Sequence, residues 1–357
     1  MSMSLSKIQL PQLKRNSIVL LFVFLLLYAL PGCCTPVLPA EIHEGILAVI
    51  EAVFSDNHKG AEEEAKKLIR RFPENPAGYF CMAFTLDNWM VKYQTDKKED
   101  EFYRYCDLAI EKGERELAEN SKNEWARFFI AGSDGFKGTY EARYERWITA
   151  FRFGWKGVSV LLDLESKGCD IPDIHFGIAN YNYWRSALMK MLWWMPGIED
   201  KRQESITELY AACENAVFTG NLAASSLVDI LINEKRFADA LPVLEKVMKR
   251  YPEYAPFWWK RILILYGLER YDEAIAMINR LLDRCASYTP DNHFVEIQCH
   301  AYLARIYMAQ KKYSQVRTEC RTIKNYELEN AVKKRLDPVF SDMKALEKQA
   351  VKGAAGK

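Results

Sequence analysis

Residues 236–285 read RFADALPVLEKVMKRYPEYAPFWWKRILILYGLERYDEAIAMINRLLDRC, and this stretch decides the fold. It contains the same apolar pattern twice, because Phe237, Ala240, Leu244 and Val247 return 34 residues later as Tyr271, Ala274, Ile278 and Leu281. An aromatic residue, a small residue three positions later and an aliphatic residue four positions beyond it form one apolar stripe on a helix. The repeat therefore predicts a pair of similar helical hairpins.

The pattern continues outside this pair. His58, Ala61, Ala65 and Leu68 have the same spacing as the four residues that begin at Phe237. Pro73 follows His58 by 15 residues, as Pro252 follows Phe237. A proline at that position ends the second helix of a hairpin because it cannot continue it. No region is rich in strand patterns, and the spacing predicts seven hairpins in all.

The middle of the chain is less regular. Two helical segments are expected at about 140–152 and 154–167, where Gly154 marks a break or a close helix contact. Asp173 is placed to cap the helix that follows it. That helix opens the segment 175–203, in which bulky aromatic residues are concentrated around a Pro-Gly turn.

The N-terminal segment has the order of a secretory signal, with basic residues (Lys7, Lys14 and Arg15) before an uncharged apolar run at 18–30. Thirteen residues form a helix of about 20 Å, which is shorter than the roughly 30 Å of hydrocarbon in a bilayer. Leu30-Pro31-Gly32-Cys33 resembles the bacterial lipobox, with Pro31 where that pattern usually has a small residue. The resemblance implies a lipid on Cys33. The alternative is a signal anchor in which Cys33 is an ordinary residue.

These features divide the chain into five segments. We expect a signal peptide at 1–32, a tether at 33–41, a helical repeat domain at 42–327, a capping helix at 328–350 and a disordered tail at 351–357. The most regular repeats cover 221–254 and 255–287. A capping helix with a polar outer face terminates a stack of hairpins, since the last hairpin has no neighbour beyond it.

Charge and motifs argue against several classes of function. The chain has 49 basic and 48 acidic residues, so no basic excess points to nucleic acid. It contains no nucleophile elbow, no phosphate-binding glycine loop, no dinucleotide fingerprint and no H-E-x-x-H motif. The cysteines lack zinc-site spacing, and several stand where the repeat has a small apolar residue, which favours buried free thiols. We therefore expect no catalytic residue, no metal site, no cofactor and no enzyme activity.

The 34-residue period and its apolar positions resemble the tetratricopeptide repeat superfamily. The resemblance is strongest over 221–285 and implies an all-α fold, a right-handed superhelix of helical hairpins. It also implies a concave groove that is lined by the first helices of the hairpins and usually holds a peptide or a partner's helix. HFGIANYNYW at 175–184, with the later Pro-Gly, gives a looser similarity to the tetratricopeptide 39/Iml2-like repeat proteins.

The repeat frame and the aromatic segment assign residues to this groove. The expected partner-binding residues are Asn182, Tyr183, Trp184, Asp229, Trp259, Lys260, Tyr266, Tyr302 and Arg305. Trp258 occupies the position that packs against the neighbouring helix, so we expect it to be buried and Trp259 to be available for contact. The aromatic residues of 176–194, including Trp193 and Trp194, either line a site for peptide or sugar rings or fill space between helices.

Together these patterns predict a non-enzymatic repeat protein of the cell envelope that faces the periplasm or the exterior. A lipid or a signal anchor would hold it at the membrane, and its groove would bind a protein or peptide partner as an interaction or assembly scaffold. The alternative is a solute- or glycan-binding lipoprotein of a transport system that uses the aromatic segment 176–194.

Overall fold

The computed structural model describes residues 38–189, 199–288 and 292–355 of the 357-residue chain. These residues form fifteen α-helices and no strand, and all of them lie in one compact unit, Leu38–Lys357. The helices are α1 (Ala40–Phe54), α2 (His58–Arg71), α3 (Pro76–Tyr93), α4 (Glu99–Glu119), α5 (Glu124–Arg143), α6 (Trp147–Ser166), α7 (Ile174–Met189), α8 (Arg202–Asn215), α9 (Gly220–Asn233), α10 (Phe237–Arg250), α11 (Ala255–Gly267), α12 (Tyr271–Cys285), α13 (Phe294–Ala309), α14 (Tyr313–Lys324) and α15 (Asn330–Ala355). The all-α prediction is confirmed.

Consecutive helices pair as seven hairpins, which we number 1 to 7 from α1–α2 to α13–α14, and α15 follows as a capping helix. The small and aliphatic residues of the second helices are at most 1% exposed: Ala61 and Ala65 on α2, Ala240 and Leu244 on α10, Ala274 and Ile278 on α12. Burial of apolar surface stabilises by about 25 cal/mol per Å². The 34-residue period of the sequence is therefore the period of packing between neighbouring hairpins, which form an all-α superhelix.

Asparagine side chains begin three of the helices. Asn57, Asn75 and Asn123 accept hydrogen bonds from backbone N–H groups two or three residues later, at 3.0–3.1 Å. These bonds satisfy N–H donors that have no partner within the first turn. Local sequence thus sets where α2, α3 and α5 start.

The third hairpin confirms a close helix contact at Gly154 in place of a break, but its helices do not have the expected bounds of 140–152 and 154–167. Helix α5 runs unbroken to Arg143 and α6 runs unbroken from Trp147 to Ser166. A Cβ atom on Gly157 would lie 2.6 Å from the Ala131 carbonyl oxygen, and one on Gly138 would lie 3.1 Å from the Gly154 nitrogen. The glycines therefore allow the two helix backbones to touch, and they do not interrupt the helices.

Asp173 caps a different helix from the one expected. Its carboxylate, 1% exposed, accepts hydrogen bonds from the backbone N–H groups of Phe218 (2.8 Å) and Thr219 (2.7 Å) and from the Thr219 hydroxyl (2.9 Å). These groups stand at the start of α9, where a carboxylate also interacts favourably with the helix dipole. Asp173 thus joins the beginning of hairpin 4 to the beginning of hairpin 5.

The end of the chain also differs from the expected boundaries. Helix α15 begins at Asn330 and continues to Ala355, five residues into the segment 351–357 for which we expected disorder. Its buried residues Leu336, Met343 and Ala350 recur every seven residues, so one face packs against hairpin 7 along most of the helix. The packing extends the helix beyond what the polar sequence indicates.

The first hairpins contact the last ones, and we call the contacts of α1–α3 with the chain from α10 to α15 the seam. The Phe54 ring of α1 lies 5.3 Å from Tyr251 and 5.1 Å from Tyr254 between ring centroids. The Tyr254 hydroxyl donates to Asn88 Oδ1 of α3 at 2.8 Å. Asp56, in the first hairpin turn, is paired with Arg284 of α12 at 2.5 Å. These partners are 166 to 228 residues apart in the chain, so the superhelix closes on itself.

Candidate binding cavity

The concave face of the superhelix forms a partly open cavity of about 1250 Å³. The first helices of the hairpins contribute to its wall, together with α6 and α15. Apolar rings form much of the wall. Phe80 and Phe84, one turn apart on α3, stack against Phe136 of α5 with centroids 4.8 and 6.0 Å apart. Trp184 of α7 and Trp259 of α11 also line the cavity.

Several charged side chains in the wall are paired with one another. Arg143 donates to both carboxylate oxygens of Asp87, at 2.9 and 3.2 Å. Lys260 donates to Asp229 at 2.5 Å and to the Ser225 carbonyl oxygen at 2.9 Å. These pairs join first helices of neighbouring hairpins, so they hold the wall together as well as giving it polarity.

Two arginines of the wall have no carboxylate within ion-pair distance among the residues that the structure describes, Arg185 of α7 and Arg335 of α15. Arg335 donates to the Gln94 carbonyl oxygen at 2.7 Å, and its guanidinium carbon lies 5.1 Å from the Tyr144 ring and 4.4 Å from the Phe294 ring. Burial lowers the pKa of the Arg335 guanidinium, but an arginine remains protonated in proteins. Aromatic walls with unpaired cations suit a ligand that combines apolar groups with a negative charge.

The described residues of the cavity wall include one cysteine and no histidine. Its cysteine, Cys81, is 2% exposed, and burial raises the pKa of the thiol to about 12, which keeps it protonated and unreactive. In the described part of the chain, no three His, Cys, Asp or Glu side chains are arranged to hold a metal ion. Five of the seven described cysteines are buried.

The cavity includes four of the residues expected in the groove, Trp184, Asp229, Trp259 and Lys260. Trp184 is 37% exposed. This exposure favours the interpretation that the aromatic segment lines a binding site over the interpretation that it fills space between helices. Trp258, one residue before Trp259, is 2% exposed, as expected. Asn182 is half-buried and lies outside the cavity wall.

The assignment of Tyr183 to the groove is wrong, because its side chain is completely buried. Its hydroxyl donates to Glu234 Oε1 and accepts from the Asn233 amide, both at 2.8 Å. Neighbouring residues on a helix point about 100° apart. Trp184 can therefore face the cavity while Tyr183 packs against the end of α9.

Tyr266, Tyr302 and Arg305 also lie outside the cavity wall. The Tyr302 ring meets Tyr266 and Trp259 edge-on, with centroids 5.2 and 5.3 Å apart. Arg305 donates to Asp342 of α15 at 2.9 and 2.7 Å. The capping helix thus occupies the position that a partner would need at hairpin 7.

Sequence analysis did not identify Arg143, Arg185 or Arg335 as site residues. The spacing of Phe80 and Phe84 was a usable signal, because residues four apart share one helix face. Arg335 had no such signal, since it meets Gln94 across 241 residues of chain. Cys33, Trp193 and Trp194 lie outside the described residues. No helix in the described ranges is long and apolar enough to cross a membrane.

Comparisons with known proteins agree with the repeat. Residues 226–289 match the tetratricopeptide repeat family model. No curated protein sequence matches the chain. Two similar solved structures are a tetratricopeptide repeat protein from Parabacteroides merdae (12% identity, TM-score 0.34) and the P58(IPK) TPR domain (13% identity, TM-score 0.26). Each comparison covers 87% of this chain and 99% of the other. The matched residues lie within the stack of helical hairpins, so this part of the chain is similar to tetratricopeptide repeats.

Proposed function

We propose that this chain is a non-enzymatic scaffold protein of the cell envelope, anchored by a lipid on Cys33, whose cavity holds a segment of a protein partner. Tetratricopeptide repeats build surfaces that bind protein partners. The wall of this cavity is made by the first helices of the repeats, which are the usual lining of such surfaces.

The observation that carries the proposal is the size of the cavity on the concave face, about 1250 Å³. Pockets for single small molecules measure about 300–1,000 Å³. The larger space favours a stretch of polypeptide, whose apolar side chains would contact Phe80, Phe136 and Trp184. A buried, protonated thiol and a wall without a described histidine support a binding role over a catalytic one.

A second candidate is a solute- or glycan-binding lipoprotein. Trp184 and Trp259 both line the cavity. Indole rings stack on sugar rings and provide large apolar contact areas. A cavity with such residues would also suit an oligosaccharide.

Photo-cross-linking from inside the cavity tests the partner. In one variant a photoreactive amino acid replaces Trp184, and in a control variant it replaces Tyr210 of α8. Both variants are expressed as the full, anchored protein in the cells that naturally make it. Trp184 and Tyr210 are similarly exposed, at 37% and 39%, but Tyr210 lies outside the cavity wall. We expect a discrete protein adduct from position 184 that is absent from position 210.

The opposite outcome also has a clear meaning. If position 184 gives no protein adduct and oligosaccharides release heat in calorimetry that Trp184→Ala abolishes, the solute-binding function replaces the scaffold function. Equal adducts from positions 184 and 210 would mean that the cavity is not the partner site.

The lipid is tested separately with Cys33→Ala. Because acylation needs the thiol of Cys33, we expect this variant to accumulate as an unprocessed precursor and to lose lipid labelling with a radioactive fatty acid. A chain in which Cys34 is changed to Ala is the matched control and should be processed normally. Unchanged processing and labelling of Cys33→Ala would contradict the lipid anchor.

A further inference from the structure

The first half of α6 has an unusual composition. Residues 146–160 read RWITAFRFGWKGVSV and contain three basic residues, four aromatic residues and no acidic residue. The segment lies at the N-terminal end of a 20-residue helix that packs against α5 and α7. A cationic, aromatic helix of this kind is typical of segments that lie in a membrane interface.

Three of the apolar side chains of this segment lie at the surface. Trp147 is 45% exposed, Ile148 is 89% exposed and Trp155 is 54% exposed. Trp147 and Trp155 are separated by eight residues, so they lie on one side of the helix with Phe151 between them. The Trp155 ring lies 6.3 Å from Tyr181 of α7 between centroids, which extends the apolar surface to the next helix. We call this surface the α6 patch.

Three cations, two of them ion-paired, and one exposed carboxylate lie at the α6 patch. Arg152 is exposed and has no carboxylate partner among the described residues, with its guanidinium carbon 5.3 Å from the Phe153 ring. Lys156 lies 3.1 Å from the buried Asp134, and Arg146 lies 3.0 Å from Glu99 and 3.3 Å from Glu141. Glu145 is an exposed carboxylate at the edge of the patch. The cation that remains without a carboxylate partner is Arg152, next to Ile148 and Trp155 on the helix surface.

We propose that the α6 patch docks on an anionic lipid bilayer, with Trp147, Ile148 and Trp155 at the level of the lipid headgroups. Trp side chains prefer this level because one end of the ring is polar and the rest is apolar. Negatively charged lipids attract adjacent Arg and Lys side chains. Charge complementarity therefore favours a bilayer over a protein surface as the occupant. Since Trp147 also lines the cavity, docking would hold one side of the cavity near the membrane.

This inference goes beyond the proposed function and does not depend on a partner or on a lipid at Cys33. The test uses a protein of residues 38–357, which form one compact unit that includes the whole described core. This protein lacks the N-terminal segment, so a lipid on Cys33 cannot contribute to vesicle binding. The probe is a set of vesicles of phosphatidylcholine, with or without phosphatidylglycerol, and the readout is co-sedimentation.

We expect binding to the anionic vesicles that weakens with salt, since surface electrostatics are screened. Ile148→Ser should lower the vesicle partition coefficient about tenfold, and Arg152→Gln should lower it about fivefold. Val351→Ser is the matched control, because Val351 is 50% exposed on α15 and lies away from the patch. Circular dichroism of each variant checks that the fold is retained.

Three results would overturn the proposal. One is an absence of binding to anionic vesicles. Another is binding that Ile148→Ser and Arg152→Gln reduce no more than Val351→Ser does. The third is a protein adduct from a cross-linker at position 148 in a chain that does not bind vesicles, which would identify the α6 patch as a protein interface.

Discussion

The turn between the two helices of a hairpin has the same left-handed backbone conformation in hairpins 1, 5 and 6. The side chain at that turn position makes different contacts in hairpin 1. Asp56, Lys235 and Glu269 are each the second residue after a first helix, with φ values of 61°, 57° and 57°. Lys235 and Glu269 are exposed, whereas the Asp56 side chain is 4% exposed. In hairpins 5 and 6 the residue at this position is exposed and only forms the turn. In hairpin 1 the residue at the same position also binds hairpin 6 and closes the superhelix.

The environment of Asp56 explains the difference. Lys92 donates to its carboxylate at 2.8 Å and Arg284 at 2.5 Å, and His58 Nε2 lies 3.6 Å away. Lys92 belongs to hairpin 2 and Arg284 to hairpin 6, so the carboxylate joins the two ends of the stack. Local packing builds each hairpin, but contacts of this kind decide whether the concave face is an open groove or a cavity.

The largest expected effect comes from removing the charge at this turn. Asparagine tolerates the left-handed conformation and keeps the shape of Asp56, but Asp56→Asn leaves Lys92 without its anion and Arg284 with Glu253 alone. Breaking a buried ion pair from one side costs about 3–5 kcal/mol. We expect the free energy of unfolding of residues 38–357 to fall by about 3 kcal/mol, measured by urea denaturation at pH 7. Glu269→Gln, in the equivalent exposed turn, should change it by less than about 0.5 kcal/mol.

Lowering the pH should reduce the free energy of unfolding by a smaller amount, through the same carboxylate of Asp56. Burial opposes ionisation of Asp56, but His58, Lys92 and Arg284 together hold the pKa of its carboxyl below the ordinary value of 3.8. A lowered pKa stabilises the fold above the ordinary value, and this stabilisation is lost as the pH falls through the lower value. The difference in unfolding free energy between the wild type and Asp56→Asn should therefore narrow below about pH 4. A difference that stays constant from pH 6 to pH 3 would show that the Asp56 charge does not stabilise the seam.

The sequence was sufficient for the parts of the fold that depend on neighbouring residues. Spacing around Phe237 and Tyr271 predicts the hairpins because each apolar stripe packs against the next hairpin, about 34 residues away in the chain. The same spacing predicts different environments for two adjacent residues, Trp258, which is buried, and Trp259, which lines the cavity. Asp229, Trp259 and Lys260 of the cavity wall could be assigned in this way.

The seam could not be predicted, because its partners follow no period. Asp56 looks like any other turn residue, and nothing near it in the sequence indicates a contact with Arg284, 228 residues away. The same holds for Arg335, whose contact with Gln94 depends on how far the superhelix curves. Tyr183 fails for a related reason, since the hydrogen bonds that bury it come from Asn233 and Glu234 of the next hairpin.

The smallest expected effect is a glycine substitution that has opposite signs at the two kinds of turn. A left-handed backbone costs a non-glycine residue about 1–2 kcal/mol, while glycine loses about 0.5–1 kcal/mol more in chain entropy on folding. Lys235→Gly should therefore raise the free energy of unfolding by about 0.5 kcal/mol. Asp56→Gly relieves the same backbone strain but removes the carboxylate that Lys92 and Arg284 share, so we expect the free energy of unfolding to fall. Urea denaturation of both variants measures the two free energies of unfolding. If both variants were stabilised equally, the two turns would be equivalent. The closure of the superhelix would then have to depend on Phe54 and Tyr254 instead.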